Sequence, residues 1–312
     1  MSDATARRPE WLRVRIRTDE SFVKLRAMVG ELRLNTVCQE ARCPNIWECW
    51  NAGTATFMIL GETCTRYCGF CNVHSGKPSP GVDPLEPAHV AEAVERLALQ
   101  HAVITSVDRD DLPDGGALHF ARVIEAIRAR VPSCGIEVLT PDFKRKTGAL
   151  DTVLDARPAV FAHNVETVPR LYKPVRPGSD YAGSLGLLRA AASRRDREGS
   201  ELRVKSSIIV GLGEEDHEVD GVMRDLRDAG VDVVTLGQYL QPTQAHLPVA
   251  RWVHPDVFAG FRERGLAMGF LHVESGPLVR SSYHAERHRP DPPLLTIGQR
   301  LGGTAAGADG GM

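Results

Sequence analysis

Short apolar runs alternate along most of the chain with segments in which apolar residues recur at helical spacing. A short apolar run is typical of a buried strand, and the helical spacing predicts a helix with one buried face. The runs predict seven strands, at 54–60, 101–107, 135–140, 159–164, 203–211, 231–238 and 270–274. The segments between them predict helices at 88–100, 120–131, 181–197, 216–229 and 255–266, with a short helix between 140 and 159.

This alternation indicates an α/β fold in which helices cover a parallel sheet. Two architectures satisfy the pattern, an open doubly wound sheet and a full or partial (β/α) barrel, and periodicity does not separate them. Both place a functional site at the carboxyl ends of the strands. Cysteine, charged, amide and glycine residues stand at those strand ends, namely Cys64, Asp108 to Asp111, Asn164, Gly211 and Gln238.

Composition narrows the class of protein. The chain of 312 residues contains 38 Lys and Arg against 40 Asp and Glu, so its formal net charge is −2. A nearly neutral chain is not typical of a general binder of nucleic acid or of membrane surfaces. No apolar run approaches the roughly 20 residues of a membrane span, and residues 1–17 hold no signal-peptide stretch. We therefore expect a cytoplasmic protein that binds neither nucleic acid nor membrane.

Six of the seven cysteines fall into two groups of three, one spaced C-x4-C-x5-C and the other C-x3-C-x2-C. The groups are Cys38, Cys43 and Cys49, and Cys64, Cys68 and Cys71. Reduced thiolates select iron–sulfur clusters, zinc or copper(I), and structural zinc takes four ligands rather than three. Three cysteines on a 4Fe–4S cluster leave one iron open to a substrate or to another side chain. A zinc knuckle, or buried thiols without a metal, is the alternative for each group.

The stretch CTRYCGFC around the second group resembles the cluster motif of the radical S-adenosylmethionine enzymes. In that superfamily three cysteines hold a 4Fe–4S cluster, and its fourth iron chelates S-adenosylmethionine. One electron then cleaves the sulfonium and yields a 5′-deoxyadenosyl radical. The resemblance implies a partial (β/α)6 barrel of the radical SAM type.

The first cysteine group, placed shortly before the second, is similar to that of the lipoyl synthase family. Further stretches agree with that family over residues 34–285. They are ARCPNIWECW (41–50), VDRDDLPDGGA (107–117), AHNVETVPRLY (162–172), KSSIIVGLGE (205–214), GQYLQPT (237–243) and GPLVRSSYHA (276–285).

The resemblance implies a sulfurtransferase that inserts two sulfur atoms, at C6 and C8 of an octanoyl group. That group is bound by an amide to a lysine of a carrier, either a lipoyl domain of a 2-oxoacid dehydrogenase or the glycine-cleavage H protein. The implied cofactors are two 4Fe–4S clusters and S-adenosylmethionine, and the auxiliary cluster on Cys38, Cys43 and Cys49 is consumed as the sulfur source. A ferredoxin or flavodoxin reductant and iron–sulfur assembly proteins are the other expected partners.

The resemblance also implies three parts of the chain. Residues 1–50 form an N-terminal extension with the auxiliary cysteines, residues 51–275 form the partial barrel, and residues 276–312 form a C-terminal extension with the motif RSSY. The Pro- and Gly-rich stretch from Arg287 onward predicts a disordered tail.

A serine of RSSY is the implied fourth ligand of the auxiliary cluster, with Ser282 as the first candidate and Ser281 as the second. A serine oxygen is a harder ligand than thiolate and a poorer match for iron–sulfur chemistry. We expect this weak bond to let one iron leave, so that a bridging sulfide can attack the substrate radical. The alternative is that both serines stabilise a turn.

Seven further residues are candidates for contacts with S-adenosylmethionine. Paired glycines let a backbone approach a ligand closely, carboxylate and amide groups suit ribose hydroxyls or a sulfonium, and basic residues suit a carboxylate. The candidates are Gly115, Gly116, Asn164, Glu166, Lys173, Arg176 and Gly211. There is also a structural interpretation of the paired glycines as a tight loop, of Asn164 and Glu166 as a helix cap, and of Lys173 and Arg176 as a solvated basic loop. The polar run 108–111 receives no acid–base role, because the implied chemistry moves hydrogen atoms rather than protons.

Two other functions are consistent with part of the sequence. Another two-cluster radical enzyme, such as one that transfers methylthio groups to RNA, usually carries a nucleic-acid module and a basic surface, and neither is visible. An iron–sulfur electron carrier needs cysteine ligation of every iron and does not need a barrel of this size. Formation of 5′-deoxyadenosine from S-adenosylmethionine distinguishes the radical enzymes from a carrier.

Overall fold

The computed structural model describes residues 8–13, 27–32, 34–37, 43, 45–51 and 54–290. The seven predicted strands are confirmed, with ends within about two residues of the predicted ones. The strands are β1 (Asn35–Thr36), β2 (Thr54–Ile59), β3 (Thr63–Cys64), β4 (His74–Ser75), β5 (His101–Ser106), β6 (Gly135–Leu139), β7 (Val160–Ala162), β8 (Arg203–Val210), β9 (Val233–Gln238) and β10 (His272–Gly276).

The predicted helices are present with shifted ends. The helices are α1 (Ile46–Asn51), α2 (Glu86–Arg96), α3 (Ala117–Arg130), α4 (Ala149–Asp155), α5 (Tyr172–Val175), α6 (Tyr181–Glu198), α7 (Asp216–Asp228) and α8 (Pro255–Ala267). Helix α2 starts two residues before the predicted Ala88, with a proline in its first turn, where a missing N–H costs nothing. Within the described part of the chain, no helix is both long enough and apolar enough to cross a membrane.

The strand order decides between the two architectures. The main sheet runs β1-β2-β5-β6-β7-β8-β9-β10, and β1 is its one antiparallel member. From β2 to β10 the parallel strands follow one another in chain order. A doubly wound sheet reverses its order at a switch point, which this sheet does not do. The structure therefore confirms the partial barrel.

The two faces of the sheet differ in polarity, because successive strand residues point to opposite sides. Phe57, Ile104 and Val138 pack into the apolar layer with the helices. The other face carries polar residues, including a completely buried pair in which Lys205 Nζ lies 2.8 Å from Glu137 Oε1. The carboxyl ends of the strands surround a cavity of about 680 Å³.

The segment after β10 packs back against the start of the sheet. Ala285 and His288 are fully buried, and the Thr54 hydroxyl lies 3.4 Å from a carboxylate oxygen of Glu286. The prediction of a disordered tail from Arg287 is therefore wrong for residues 287–290, because His288 packs beside Glu274 on β10. Residues 291–312 lie outside the described part of the chain.

Candidate active site

The loop between β2 and α2 carries Cys64, Cys68 and Cys71 at the carboxyl end of β2. Cys64 lies in β3, and its sulfur accepts the backbone N–H groups of Arg66 at 3.5 Å and of Asp108 at 3.3 Å. The Cys71 N–H donates to the Cys68 carbonyl at 3.1 Å, which forms a tight turn. All three thiols line the cavity. The structure therefore brings this predicted group together.

The protein environment keeps these thiols protonated. Burial, reinforced by the Asp108 carboxylate, raises the pKa of the Cys64 thiol to about 11. Burial raises the pKa of Cys68 to about 12 and also raises that of Cys71. Because iron binds thiolate, cluster binding has to displace these protons.

Arg66 fastens the cysteine loop to the rest of the barrel. Its buried guanidinium donates to Asp110 at 2.9 Å and to Asp142 at 2.9 Å, and Asp108 lies 3.4 Å from Nε. Burial alone would raise the pKa of Asp142, but the contact with Arg66 outweighs it and holds the pKa at about 2. The acidic run 108–111 is thus an ion-paired loop, since Asp111 in turn pairs with Arg109 at 2.8 Å.

Asn164 and Glu166 follow β7 and both line the cavity. The Asn164 side-chain N–H donates to Glu166 Oε1 at 3.0 Å, while the buried Asn164 Oδ1 has no hydrogen-bond partner in the described structure. Glu166 has φ +66°, and two backbone hydrogen bonds to β8, with Ser207 and Ile209, hold it there. Burial raises the pKa of the Glu166 carboxyl, and the nearby Arg176 opposes that shift.

The structure separates Arg176 from Lys173. Arg176 is buried and lines the cavity, and its Nη1 donates to the Asn164 carbonyl at 2.7 Å and to the Tyr172 hydroxyl at 2.8 Å. Its Nε has no hydrogen-bond partner in the described residues. Lys173 is exposed and is absent from the cavity wall. The two candidate basic residues therefore do not lie on one surface.

The three candidate glycines do not line the cavity either. Gly116 precedes α3 with φ +91°, and a Cβ there would lie 2.3 Å from Leu60 Cδ1; Gly115 also has a positive φ. A Cβ on Gly211 would lie 2.1 Å from Gln238 Nε2. The positive φ values and these close contacts are sufficient reasons for glycine at the three positions.

Two of the three auxiliary cysteines lie in a segment that contacts the segment with the motif RSSY. Cys43 and Cys49 flank the start of α1, and Cys38 lies outside the described residues. The Asn45 side chain donates to the Leu278 carbonyl, and the Tyr283 hydroxyl lies 3.1 Å from Glu48 Oε1. The N-terminal cysteine segment is thus tied to the segment that carries RSSY.

The two serines of RSSY have different surroundings. Ser281 lines the cavity. The Ser282 hydroxyl is in hydrogen-bond contact with the Thr56 hydroxyl on β2, at 3.0 Å. The structure therefore brings both candidates to this side of the barrel but points only Ser281 at the cavity.

Several cavity residues were missed from the sequence. Apolar side chains make up much of the wall, among them Met58, Phe70, Leu139, Ile209, Leu240 and Val279. Arg8 and Arg280 also line it, and burial lowers the pKa of the Arg280 guanidinium. The stretches GQYLQPT and RSSY pointed to these regions, but which side chains face inward depends on strand register.

The donor set fits a 4Fe–4S cluster with S-adenosylmethionine. In the described structure no three His, Cys, Asp or Glu side chains converge on a single metal ion. A cubane does not need such convergence, because each cysteine binds a separate iron. Beside the three thiols, Ser106 Oγ, Asn164 Oδ1 and Arg176 Nε are buried polar atoms without partners in the described residues. A polar cofactor in the cavity would satisfy them.

Comparison with known proteins decides the family. Residues 58–226 match the radical SAM superfamily, and residues 2–43 match the N-terminal domain of lipoyl synthase. A lipoyl synthase of Rubrobacter xylanophilus is 54% identical over 94% of this chain and 90% of its own length. The chain belongs to the lipoyl synthase family. The lipoyl synthase of Chromobacterium violaceum is 51% identical over 91% of this chain and 89% of its own.

Solved structures agree on the fold. Methylornithine synthase has a TM-score of 0.51 at 12% identity and covers 83% of this chain and 79% of its own. Streptococcus suis SuiB bound to its precursor peptide SuiA has a TM-score of 0.52 at 9% identity, over 81% of this chain and 52% of its own. At such identities the similarity concerns the fold alone. Membership of the lipoyl synthase family confirms an enzyme that uses S-adenosylmethionine and two 4Fe–4S clusters.

Proposed function

We propose that this enzyme inserts sulfur at C6 and C8 of an octanoyl group on a carrier lysine, with the auxiliary cluster as the sulfur donor. The observation that carries this proposal is the single cavity. Its wall includes the thiols of Cys64, Cys68 and Cys71 as well as residues 279–281 of the RSSY segment. An acyl chain in this cavity would lie within reach of both sides.

At the radical side, Cys64, Cys68 and Cys71 would hold the first cluster. When bound, that cluster supplies the electron that cleaves the sulfonium of S-adenosylmethionine. Arg176 presents an unpartnered Nε to a carboxylate, and Asn164 presents a free Oδ1 to ribose hydroxyls or to the sulfonium. The Glu166 carboxylate, fixed beside Asn164, would complete this contact. We do not assign cofactor contacts to Lys173, Gly115, Gly116 or Gly211, which lie outside the cavity wall.

The apolar wall would receive the octanoyl chain. Met58, Leu139 and Ile209 line the cavity, and their side chains carry no polar group that would lose bound water when a hydrocarbon chain enters. Burial of an acyl chain against such a wall is favourable, at about 0.8 kcal/mol for each buried CH₂ group.

At the auxiliary side, Cys38, Cys43 and Cys49 would hold the second cluster, with Ser282 as the fourth ligand and Ser281 as the alternative. Contact with Thr56 keeps Ser282 close to this site, and the position of Ser281 in the cavity wall supports the alternative. Ser282→Ala and Ser281→Ala variants separate the two, because loss of the true ligand lowers the iron bound by the auxiliary site. Undiminished sulfur insertion after both serines are replaced by cysteine would show that a weak serine bond is not required.

We also propose that residues 1–50 and 276–312 act together as extensions of a barrel formed by residues 51–275. The contacts of Asn45 with Leu278 and of Glu48 with Tyr283 support this division. The substrate would be an octanoylated lipoyl domain of a 2-oxoacid dehydrogenase or the glycine-cleavage H protein, in the cytoplasm. A ferredoxin or flavodoxin would supply electrons, and iron–sulfur assembly proteins would rebuild the auxiliary cluster.

The test is a reaction without oxygen. Reconstituted protein receives S-adenosylmethionine, a strong reductant and an octanoyl-lysine peptide, and the peptide is then weighed. Replacement of two hydrogens by two sulfurs, abolished by Cys38→Ala, is the expected result. Formation of 5′-deoxyadenosine with an unchanged peptide would retain the radical chemistry but reject the substrate. If neither product forms despite a full iron content, the proposed function is wrong.

A further inference from the structure

Arg280 is a cation in the cavity wall for which the described residues supply no acidic partner. Its Nη1 donates to the neighbouring Val279 carbonyl at 2.6 Å. Within the described residues no carboxylate lies within 4.0 Å of this half-buried side chain, whereas the buried Arg66, for example, has three such partners. Burying a guanidinium costs free energy unless an opposite charge compensates it. The absence of an acidic partner for Arg280 in the described residues therefore indicates that a bound anion, rather than a protein carboxylate, neutralises its charge.

The fold holds Arg280 in place. A Cβ on Gly237 of β9 would lie 2.0 Å from the Val279 carbonyl and 3.3 Å from Arg280 Nη1. The absence of a side chain at Gly237 lets the backbone of residues 279–280 lie directly on the strand. The position of the guanidinium is thus set by backbone packing rather than by a flexible surface loop.

The charged neighbours of Arg280 identify the anion. Arg280 directly precedes Ser281 and Ser282, and its segment contacts the N-terminal cysteine segment through Asn45 and Leu278. The Cys43 thiol and a second cation, Arg8, which also lines the cavity, act on it electrostatically. Cys43 belongs to the auxiliary group. A 4Fe–4S core of charge +2 with three thiolates and one serine alkoxide carries a net charge of −2, so the two charges of Arg8 and Arg280 match it.

We infer that Arg280, assisted by Arg8, supplies the counter-charge for the auxiliary cluster and acts as a positioning residue for it. This inference rests on the proposed function, in which that cluster is the sulfur donor. A nearby cation lowers the free energy of the buried dianion and still more that of its reduced form, which carries one further negative charge. Net charge around a cluster is one of the quantities that set its reduction potential. Arg280 therefore raises the reduction potential of the auxiliary cluster and helps the site retain iron.

The test is a redox titration of the auxiliary cluster, followed by electron paramagnetic resonance. It uses the full chain carrying Cys64→Ala, Cys68→Ala and Cys71→Ala, so that only the auxiliary cluster titrates. In this background Arg280→Gln is compared with Arg280→Lys, and Arg264→Gln is the matched control. Arg264 lies on α8 and pairs with Asp220 at 2.9 Å on the outer surface. Neither S-adenosylmethionine nor an octanoyl peptide is needed, so the readout is independent of sulfur insertion.

The expected result is a more negative reduction potential in Arg280→Gln, with the parent value kept in Arg280→Lys and Arg264→Gln. An unchanged potential in Arg280→Gln at full iron content would overturn the inference and leave the proposed function standing. If Arg280→Gln retains no iron, its reduction potential cannot be measured, and the Arg280→Lys variant tests the inference instead. Full loading at the parent potential supports a role of the charge, and loss of iron or a shifted potential in that variant contradicts it. A background that binds no iron at all would refute both this inference and the proposed function.

Discussion

Glu166 has a backbone conformation that costs free energy. A non-glycine residue in the left-handed region carries strain of about 1–3 kcal/mol and persists only where its surroundings hold it. Hydrogen bonds to Ser207 and Ile209 hold Glu166 at φ +66° and aim its carboxylate into the cavity. Strain at a half-buried acid in the cavity wall indicates a residue kept for binding rather than for stability.

Glu166→Gly tests this interpretation. Glycine relieves the backbone strain, so we expect a melting temperature at or above that of the parent protein. Loss of a buried hydrogen-bonding carboxylate costs about 1–3 kcal/mol, so we expect S-adenosylmethionine to bind roughly tenfold more weakly to the reconstituted enzyme. Calorimetry measures both quantities. An unchanged affinity would remove Glu166 from the cofactor site.

His163 makes the stability depend on pH. Burial, with a contribution from the Arg176 cation, lowers its pKa to about 4, and its ring nitrogens contact Thr140 O and Ser184 Oγ, each at 2.9 Å. An unfolded histidine has a pKa near 6.5, so the unfolded chain takes up the proton first as the pH falls. The stabilisation from neutral His163 is therefore complete above about pH 6.5 and is lost progressively towards pH 4.

We expect the free energy of unfolding to decrease between pH 6.5 and pH 4.5, and the slope to flatten in His163→Gln. Glutamine can still bond Thr140 and Ser184 but does not titrate. Urea denaturation at three pH values in this window measures the slope. His217→Gln serves as a control, since His217 is exposed. Equal slopes in the parent and in His163→Gln would contradict this assignment.

At the scale of elements, the cysteine loop depends on contacts with two other loops. Arg66 lies between the first two cysteines of the loop and binds Asp110 after β5 and Asp142 after β6. Asp108 lies 3.7 Å from the Cys64 sulfur and also contacts Arg66. One buried side chain thus joins the loop to the strand ends that form the cavity wall.

Arg66→Gln leaves three acids without their shared cation. Breaking a buried ion pair in this way costs about 3–5 kcal/mol of stability. We expect iron to be lost from the radical site, together with 5′-deoxyadenosine formation, while iron at the auxiliary site remains. Arg194→Gln is the matched control, because Arg194 also contacts three acids but does so on the outer surface. A radical site that stays fully loaded in Arg66→Gln would show that the loop does not need this anchor.

At the scale of the whole molecule, the base of the barrel is polar and closed by the C-terminal segment. Lys205 pairs with Glu137. Burial by itself would raise the pKa of the Glu137 carboxyl, but Lys205 and His101 outweigh that effect and lower the pKa to about 2. His288, from the segment after β10, is fully buried nearby and lies 3.8 Å from Glu274. The same segment carries Ser281 and Ser282, so the packing of the barrel base also positions the auxiliary side.

Lys205→Met removes the lysine cation that pairs with the buried Glu137 carboxylate. We expect the free energy of unfolding to fall by about 3–5 kcal/mol, whereas Lys205→Met combined with Glu137→Gln recovers most of that loss. Urea denaturation of the parent and both variants measures this. If the single variant were as stable as the double variant, the pair would contribute nothing to the closed base.

The local pattern of the sequence determined the secondary structure, the parallel α/β class and the two cysteine groups. These features depend on residues a few positions apart, so the spacing of those residues along the chain predicts the features directly. Contacts between distant residues are different, because they depend on strand register and on which face a side chain takes. The contact of Thr56 with Ser282 spans 226 positions, and no local pattern indicates it.

The pattern of apolar residues did not distinguish a barrel from an open sheet, since the order of strands is not a local property; the motif resemblance implied the barrel, and the tertiary structure showed the strand order. It also placed Arg176 in the cavity and Lys173 outside it, although they are three residues apart. The glycines at 115, 116 and 211 proved to serve close packing behind the wall. Arg280 emerged, for the same reason, as a half-buried cation with no acidic partner among the described residues, because an ion pair or its absence depends on where the chain brings opposite charges together.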